Sequence, residues 1–216
     1  MIKKITKPAK VVKKDLNTEE KIISAARKLF TQHGFVATKT RDIAKEAGIN
    51  LALLNYYFRS KEKLFDIIMA ENMINFIQSI GVVINDKNSS LEDKIYAITN
   101  NYIDLLIKQP DLPLFVLSEL SRHPDKFIQK LKVNEVLSQS YLIKQYNGAV
   151  LSGKIKDVHP IHFIANILGL TVFPFVGAPM LKNISGFSND AYIELMLERK
   201  NMIPAWMKSI LIADVI

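Results

Sequence analysis

The chain has 216 residues, with 29 Lys+Arg against 21 Asp+Glu, a formal net charge of +8 and no cysteine. Its 49% hydrophobic content suits a packed core rather than a disordered chain, and the lack of cysteine excludes disulfide scaffolds, thiolate metal sites and thiol nucleophiles. The charge is uneven: residues 1–65 hold 15 Lys+Arg and 6 Asp+Glu, whereas the rest of the chain holds 14 and 15. Such a basic excess points to nucleic acid or another anionic surface.

In chain order, residues 1–17 come first, with Lys3, Lys4, Lys7, Lys10, Lys13 and Lys14 against Asp15. They read as a basic arm, either a solvated tail or a segment laid along phosphates. No apolar run of secretory length precedes Leu16, so the chain is read as cytoplasmic. Asn17 or Thr18 is expected to cap a first helix. Glu19 and Glu20 then favour the positive end of its dipole, Ile22, Ala26, Leu29 and Phe30 share one face, and Gly34 ends it. Thr38 or Thr40 opens a short second helix with Ile43, Ala44 and Ala47 inward, broken at Gly48. Asn50 caps a third short helix that runs to about Phe58.

Longer helices follow. Ser60 caps one from Lys61 towards Val83, and Ser90 caps another carrying the stripe Leu91, Ile95, Ile98, Tyr102 and Leu105. Pro110 and Pro113 mark a turn and restart. Pro124 suits the first turn of a helix extending towards Tyr146. Two apolar segments, about 161–173 and 188–213, close the chain, with Pro204 bending or dividing the second. Ile161 to Leu181 is long and apolar enough to raise the question of a membrane span. His162, Asn166, Pro174 and Pro179, and flanks without Lys/Arg asymmetry, favour a buried helix ending near Pro174 instead.

The informative stretch runs from Thr40 to Asn50. Two short helices joined by a tight glycine-containing turn form a helix-turn-helix, whose second helix enters the major groove of DNA. Ala44 and Ala47 are small enough for close helix approach, and Gly48 permits a positive φ. The hairpin lies inside the basic segment. Residues 18–65 resemble the DNA-binding domain of the TetR family of transcriptional regulators. The likeness rests on Ala25-Ala26-Arg27-Lys28-Leu29-Phe30, Gly34-Phe35, Thr40 with Ile43-Ala44 and Ala47-Gly48-Ile49, and Tyr57-Phe58 with Ser60-Lys61-Glu62 and Leu64. Many members carry Lys-Gly after the cap and an aromatic before the final pair. Leu51, Ala52 and Asn55 stand there in this chain, so base readout does not transfer from better-known members. The resemblance implies an all-α protein: a three-helix DNA-binding domain (18–65) followed by a larger helical domain (66–216) for dimerisation and effector binding.

On the residues themselves, Leu54 and Phe58 face the core, and Asn50, Leu51, Ala52 and Asn55 occupy the turns that reach base edges. Asn55 suits a bidentate pair with adenine, and Leu51 and Ala52 suit thymine methyls. Lys39, Thr40, Arg41, Tyr56, Tyr57 and Lys61 are placed for phosphates; for Tyr57 packing against the first helix is the rival reading. In the second domain Tyr102, Phe115, Leu117, Tyr141, Phe163 and Phe173 are candidates to line an effector cavity, and Ile161 to Phe173 and Ile193 to Leu211 to form a dimer interface.

Gly148 to Ile155 approaches a phosphate-binding loop but ends on Ile155 where a Ser or Thr is needed, with no preceding strand. His159 and His162 suit capping or an interface better than a metal. No catalytic constellation is present, so the chain reads as no enzyme, without cofactor or metal. The expected function is that of a homodimeric transcriptional regulator, a repressor released from a palindromic DNA operator by a small-molecule effector. A non-specific DNA-organising protein without an effector is the alternative.

Overall fold

The computed structural model describes residues 16–137 and 139–211. The basic arm, apart from its last two residues, therefore lies outside the described residues. Twelve helices and no strand are found among them, as the periodicity predicts. The chain divides into two compact units, Met1–Ile68 and Met69–Ile216.

In the first unit α1 (Leu16–Ala37) is already helical ahead of Asn17 and Thr18, which lie in its first turn. Its path is interrupted at Gly34, where φ is 74°. There the buried Thr38 hydroxyl lies within hydrogen-bond distance of the carbonyl oxygens of Gly34 (2.8 Å) and Leu29 (3.2 Å), either of which can accept its one proton. Ile22, Ala26 and Phe30 of α1 are buried with Ile43 and Ala44 of α2 (Thr40–Glu46) and Leu54 of α3 (Leu51–Tyr57). Phe58 is 2% exposed and completes this core, as the sequence indicates. Phe65, at the start of α4 (Lys61–Asn85), packs edge-on against Phe30 with centroids 5.3 Å apart and tilted against Phe35 at 4.6 Å.

In the second unit α5 (Leu91–Lys108) starts with a full capping box. The Ser90 hydroxyl oxygen accepts from the Asp93 amide (3.0 Å), while the Asp93 carboxylate accepts from the Ser90 amide (3.0 Å). The Ser90 hydroxyl and amide bonds hold the Asp93 carboxyl below its ordinary value of 3.8, and Asp86 is lowered likewise by the Asn88 amide and the Ser89 hydroxyl. A lowered folded-state value means stability that is present above the ordinary carboxylate range and lost as pH falls through the folded value. Asp93→Asn should therefore flatten the acid side of the stability profile, read as urea midpoints across acidic pH.

The sequence expects one helix from Pro124 towards Tyr146; the structure breaks it into α7 (Pro124–Leu131), α8 (Val133–Leu137) and α9 (Tyr141–Leu151). The first break falls at Lys132, which adopts φ 53° without being glycine. Ser140, 1% exposed, caps α9. α6 (Leu112–Arg122) precedes this run, with Pro113 in its first turn.

Two prolines sit inside later helices and do not end them. α10 (Pro160–Val176) continues past Pro174, and α12 (Asn189–Leu211) continues through Pro204, with α11 (Ala178–Ser185) between them, a helix that the sequence pattern does not announce. Proline has no N–H, so Pro174 leaves the Leu170 carbonyl without its helical donor. The Arg199 guanidinium, from α12, donates to that oxygen at 2.7 Å. The Tyr192 hydroxyl donates to the Pro174 carbonyl at 2.6 Å. α12 thus supplies the bonds that the end of α10 lacks. At Pro204 the matching carbonyl, that of Lys200, accepts a longer bond of 3.5 Å from the Asn100 amide. By length and composition α4 alone is apolar enough to cross a bilayer among single described helices, and α10 with α11 only as a pair bent by 66°. In the fold Met73, Phe76, Ile80 and Ile84 of α4 are buried by protein.

Candidate functional site

The turn between α2 and α3 is closed by two capping devices in succession. The Gly48 amide donates to the Lys45 carbonyl (3.1 Å) and the Ile49 amide to the Ala44 carbonyl (3.0 Å), the paired bonds of a Schellman ending. Gly48 sits at φ 68° with open space where a Cβ would be, so backbone conformation, not crowding, selects glycine. Asn50 follows in extended conformation, and its Oδ1 accepts from the Leu53 amide at 2.8 Å. The angle between the two helices is thereby set locally. Gly48→Val should cost about 1–2 kcal/mol by the left-handed penalty, checked by urea unfolding of the variant.

Leu54 and Tyr57 face inward from α3, leaving Ala52, Asn55 and Tyr56 outward on one strip at three- and four-residue spacing. Leu51 is half-buried beside them. Lys39 and Arg41 are exposed at the start of α2, with Thr40 half-buried between them. An open groove of about 450 Å³ is lined by Lys39, Thr40, Asn55, Arg59 and Ser60, among others. The structure thus brings Lys39, Thr40, Asn55 and Lys61 together on this groove and places Arg59, which sequence reasoning missed, beside them. Its basic character next to Phe58 is visible in the sequence, but its orientation depends on how the chain leaves α3.

Three expected site residues also have partners within the protein. Lys61 donates to the carbonyl oxygens of Phe35 (2.8 Å) and Thr38 (3.0 Å), and its ammonium lies 4.1 Å from the centre of the Phe35 ring. It thereby ties the end of α1 to the start of α4, with one N–H of its ammonium beyond these two bonds. Tyr57 is 9% exposed and meets Tyr56, its neighbour on α3, edge-on at 5.5 Å. Asn50 spends its carbonyl oxygen on the cap.

The second unit holds an apolar cavity of about 300 Å³ between α4, α5, α6, α7, α8, α9 and α10. Of the six residues named from the sequence, Tyr102 and Phe163 line it; Phe115, Leu117, Tyr141 and Phe173 do not. Phe115 is buried against Phe127 with centroids 5.9 Å apart, Tyr141 lies under the Lys94 ammonium at 5.3 Å, and Leu117 and Phe173 are exposed. Tyr102 stacks on Phe76 at 4.6 Å, and burial pushes its hydroxyl up to about 12. Most of the remaining lining consists of Ile and Leu side chains, which no sequence pattern separates from ordinary core.

On α10 and α12, Ile161, Leu168, Phe173, Ile193, Met202, Trp206 and Ile210 are large apolar side chains left exposed. His159 caps α10 through Nδ1, which accepts from the Ile161 amide at 3.2 Å. No cluster of metal-ligating side chains occurs among the described residues.

A compact three-helix unit with locally fixed α2–α3 geometry, an outward strip on α3 and basic side chains beside it defines a helix-turn-helix DNA-binding regulator. The comparisons with known proteins agree. Residues 22–68 match the family described as bacterial regulatory proteins, tetR family. The HTH-type transcriptional regulator RutR of Escherichia coli (strain K12) is 30% identical over 173 residues, covering 76% of this chain and 77% of RutR. The probable HTH-type transcriptional regulator YttP of Bacillus subtilis (strain 168) is 25% identical over 169 residues, 74% of this chain and 78% of YttP. A crystal structure of a TetR transcription regulator from Haloarcula marismortui ATCC 43049 shares the fold with a TM-score of 0.61 at 20% identity, covering 90% of this chain and 98% of that one. The chain belongs to the TetR family of transcriptional regulators.

Proposed function

We propose that this regulator works in the cytoplasm as a homodimeric, non-enzymatic repressor that leaves a palindromic operator when a small molecule occupies its second unit. The observation that carries the reading is the outward strip of α3, turned away from the core and beside the basic start of α2. In this reading residues 18–65 bind DNA and residues 66–216 dimerise and bind the effector. Leu51, Ala52 and Asn55 contact base edges, with Asn50 fixing the helix that presents them. Lys39, Thr40, Arg41 and Tyr56, joined by Arg59, contact phosphates. The exposed apolar side chains of α10 and α12 supply the dimer contact. Effector binding shifts the dimer only through a difference in affinity between its two arrangements.

Selection of operators from random DNA by the full-length protein tests the reading. The expected product is a palindrome whose half-sites lie about one helical turn, or a multiple, apart. Failure to enrich any palindrome would support the DNA-organising alternative. On the selected operator, Asn55→Ala should reduce discrimination at one base pair roughly tenfold, whereas Arg41→Ala should weaken cognate and scrambled DNA alike. Removing residues 1–14 should flatten the log–log salt dependence of binding by about 0.9 for each phosphate that the arm neutralises. Titrations at several salt concentrations read this directly.

A further inference from the structure

The effector cavity has unusual chemistry for a recognition site. Tyr102 alone among its lining residues carries a hydrogen-bonding side chain; every other one is aliphatic, aromatic or Met. No charged group faces the space, so a ligand with polar substituents along its length would leave them unpaired. The shape is equally restrictive. Met73 and Ile84, eleven positions apart on α4, both line the cavity, a span of about 16 Å along the helix axis. A volume of about 300 Å³ spread over that length makes the space elongated rather than round, which suits an extended chain better than a compact ligand.

Resting on the effector-binding reading above, we propose that the cavity takes a single unbranched hydrocarbon chain, with the polar head left outside. This chemistry is shared by fatty alcohols, fatty acids and acyl thioesters. Recognition then comes from chain length and saturation of the apolar wall, not from hydrogen bonds inside.

The test titrates the full-length protein with a series of 1-alkanols from hexanol to decanol, followed by calorimetry with stoichiometry checked by native mass spectrometry. One alkanol per chain is expected, with affinity rising about fourfold for each added methylene. 1,10-Decanediol should bind at least tenfold weaker than 1-decanol, because its second hydroxyl enters the apolar interior. A flat series, or a diol that binds as tightly as decanol, would overturn the proposal. Val133→Trp and Leu137→Trp, both on the short, part-exposed α8 at the cavity wall, should fill the space and lower decanol affinity at least tenfold. Undiminished binding in either folded variant would place the chain elsewhere and overturn it too; the wild-type series decides even if both misfold. Dodecanoate and dodecanoyl-CoA, run in parallel, distinguish a free acid from a thioester as the source of the chain. Operator release is read separately. Length-dependent binding that leaves operator affinity unchanged sinks the release mechanism and keeps the ligand class, whereas operator release by some other compound with no alkanol binding does the reverse.

Discussion

Phe58→Ala is expected to remove about 3–5 kcal/mol from the DNA-binding unit and abolish operator binding. Phe58 is 2% exposed, its backbone is extended at the end of α3, and its amide donates to the Leu54 carbonyl at 2.8 Å. The ring therefore fills the small core where α3 ends, and alanine leaves a cavity that a three-helix unit has little means to close. Small domains have only about 5–15 kcal/mol in total, so the loss is a large share of what holds this one folded. Hydrogen exchange should show faster exchange throughout residues 22–58, with protection in α5 and α12 retained. Retained protection in α1 to α3 together with normal operator binding would show that Phe58 does not organise this core.

The second large effect concerns Arg199. Its bond to the Leu170 carbonyl replaces the donor that Pro174 lacks, and burial lowers the guanidinium pKa, so the group is held in a partly dry setting. Arg199→Ala should cost about 1.5–3 kcal/mol, the worth of a charged hydrogen bond to an otherwise unpaired group. The cause can be isolated. Pro174→Ala restores an N–H to the helix, and in that background Arg199→Ala should cost far less. Denaturant unfolding of the four proteins in this double-mutant cycle gives the coupling. A cycle with no coupling would mean that Arg199 acts through its contact with Trp206, whose ring lies 5.2 Å from the guanidinium carbon, and not through the helix.

The same proline shows why part of the fold is legible in the sequence and part is not. The signals in α1 to α3 are short-range: Gly48 and Asn50 act on bonds within five residues, and Leu54 and Phe58 follow helical periodicity. Such features can be read from neighbouring letters. The continuation of α10 cannot, because the group that compensates Pro174 is twenty-five positions downstream. Lys132 is a related case, since nothing in its chemistry announces a left-handed backbone. The apolar cavity of the second unit lies furthest from local reading. Periodicity marks the apolar face of each helix but not which faces meet around a void, and of the candidates Tyr102 and Phe163 line this one whereas Phe115 and Tyr141 do not. Lys61 has partners that the sequence does not announce, because only geometry shows the carbonyls of Phe35 and Thr38 within reach of its ammonium.

The paired caps at Gly48 and Asn50 also bear on how this protein can change over generations. Both ends of the turn are secured by residues other than those on the outward strip of α3, and the core is filled from the opposite side. Ala52 and Asn55 therefore carry no share of the folding constraint that fixes Gly48, Leu54 and Phe58. Substitutions at these two exposed positions can alter what the helix contacts while leaving its placement intact. Copies of such a gene can diverge in target without first passing through an unstable intermediate.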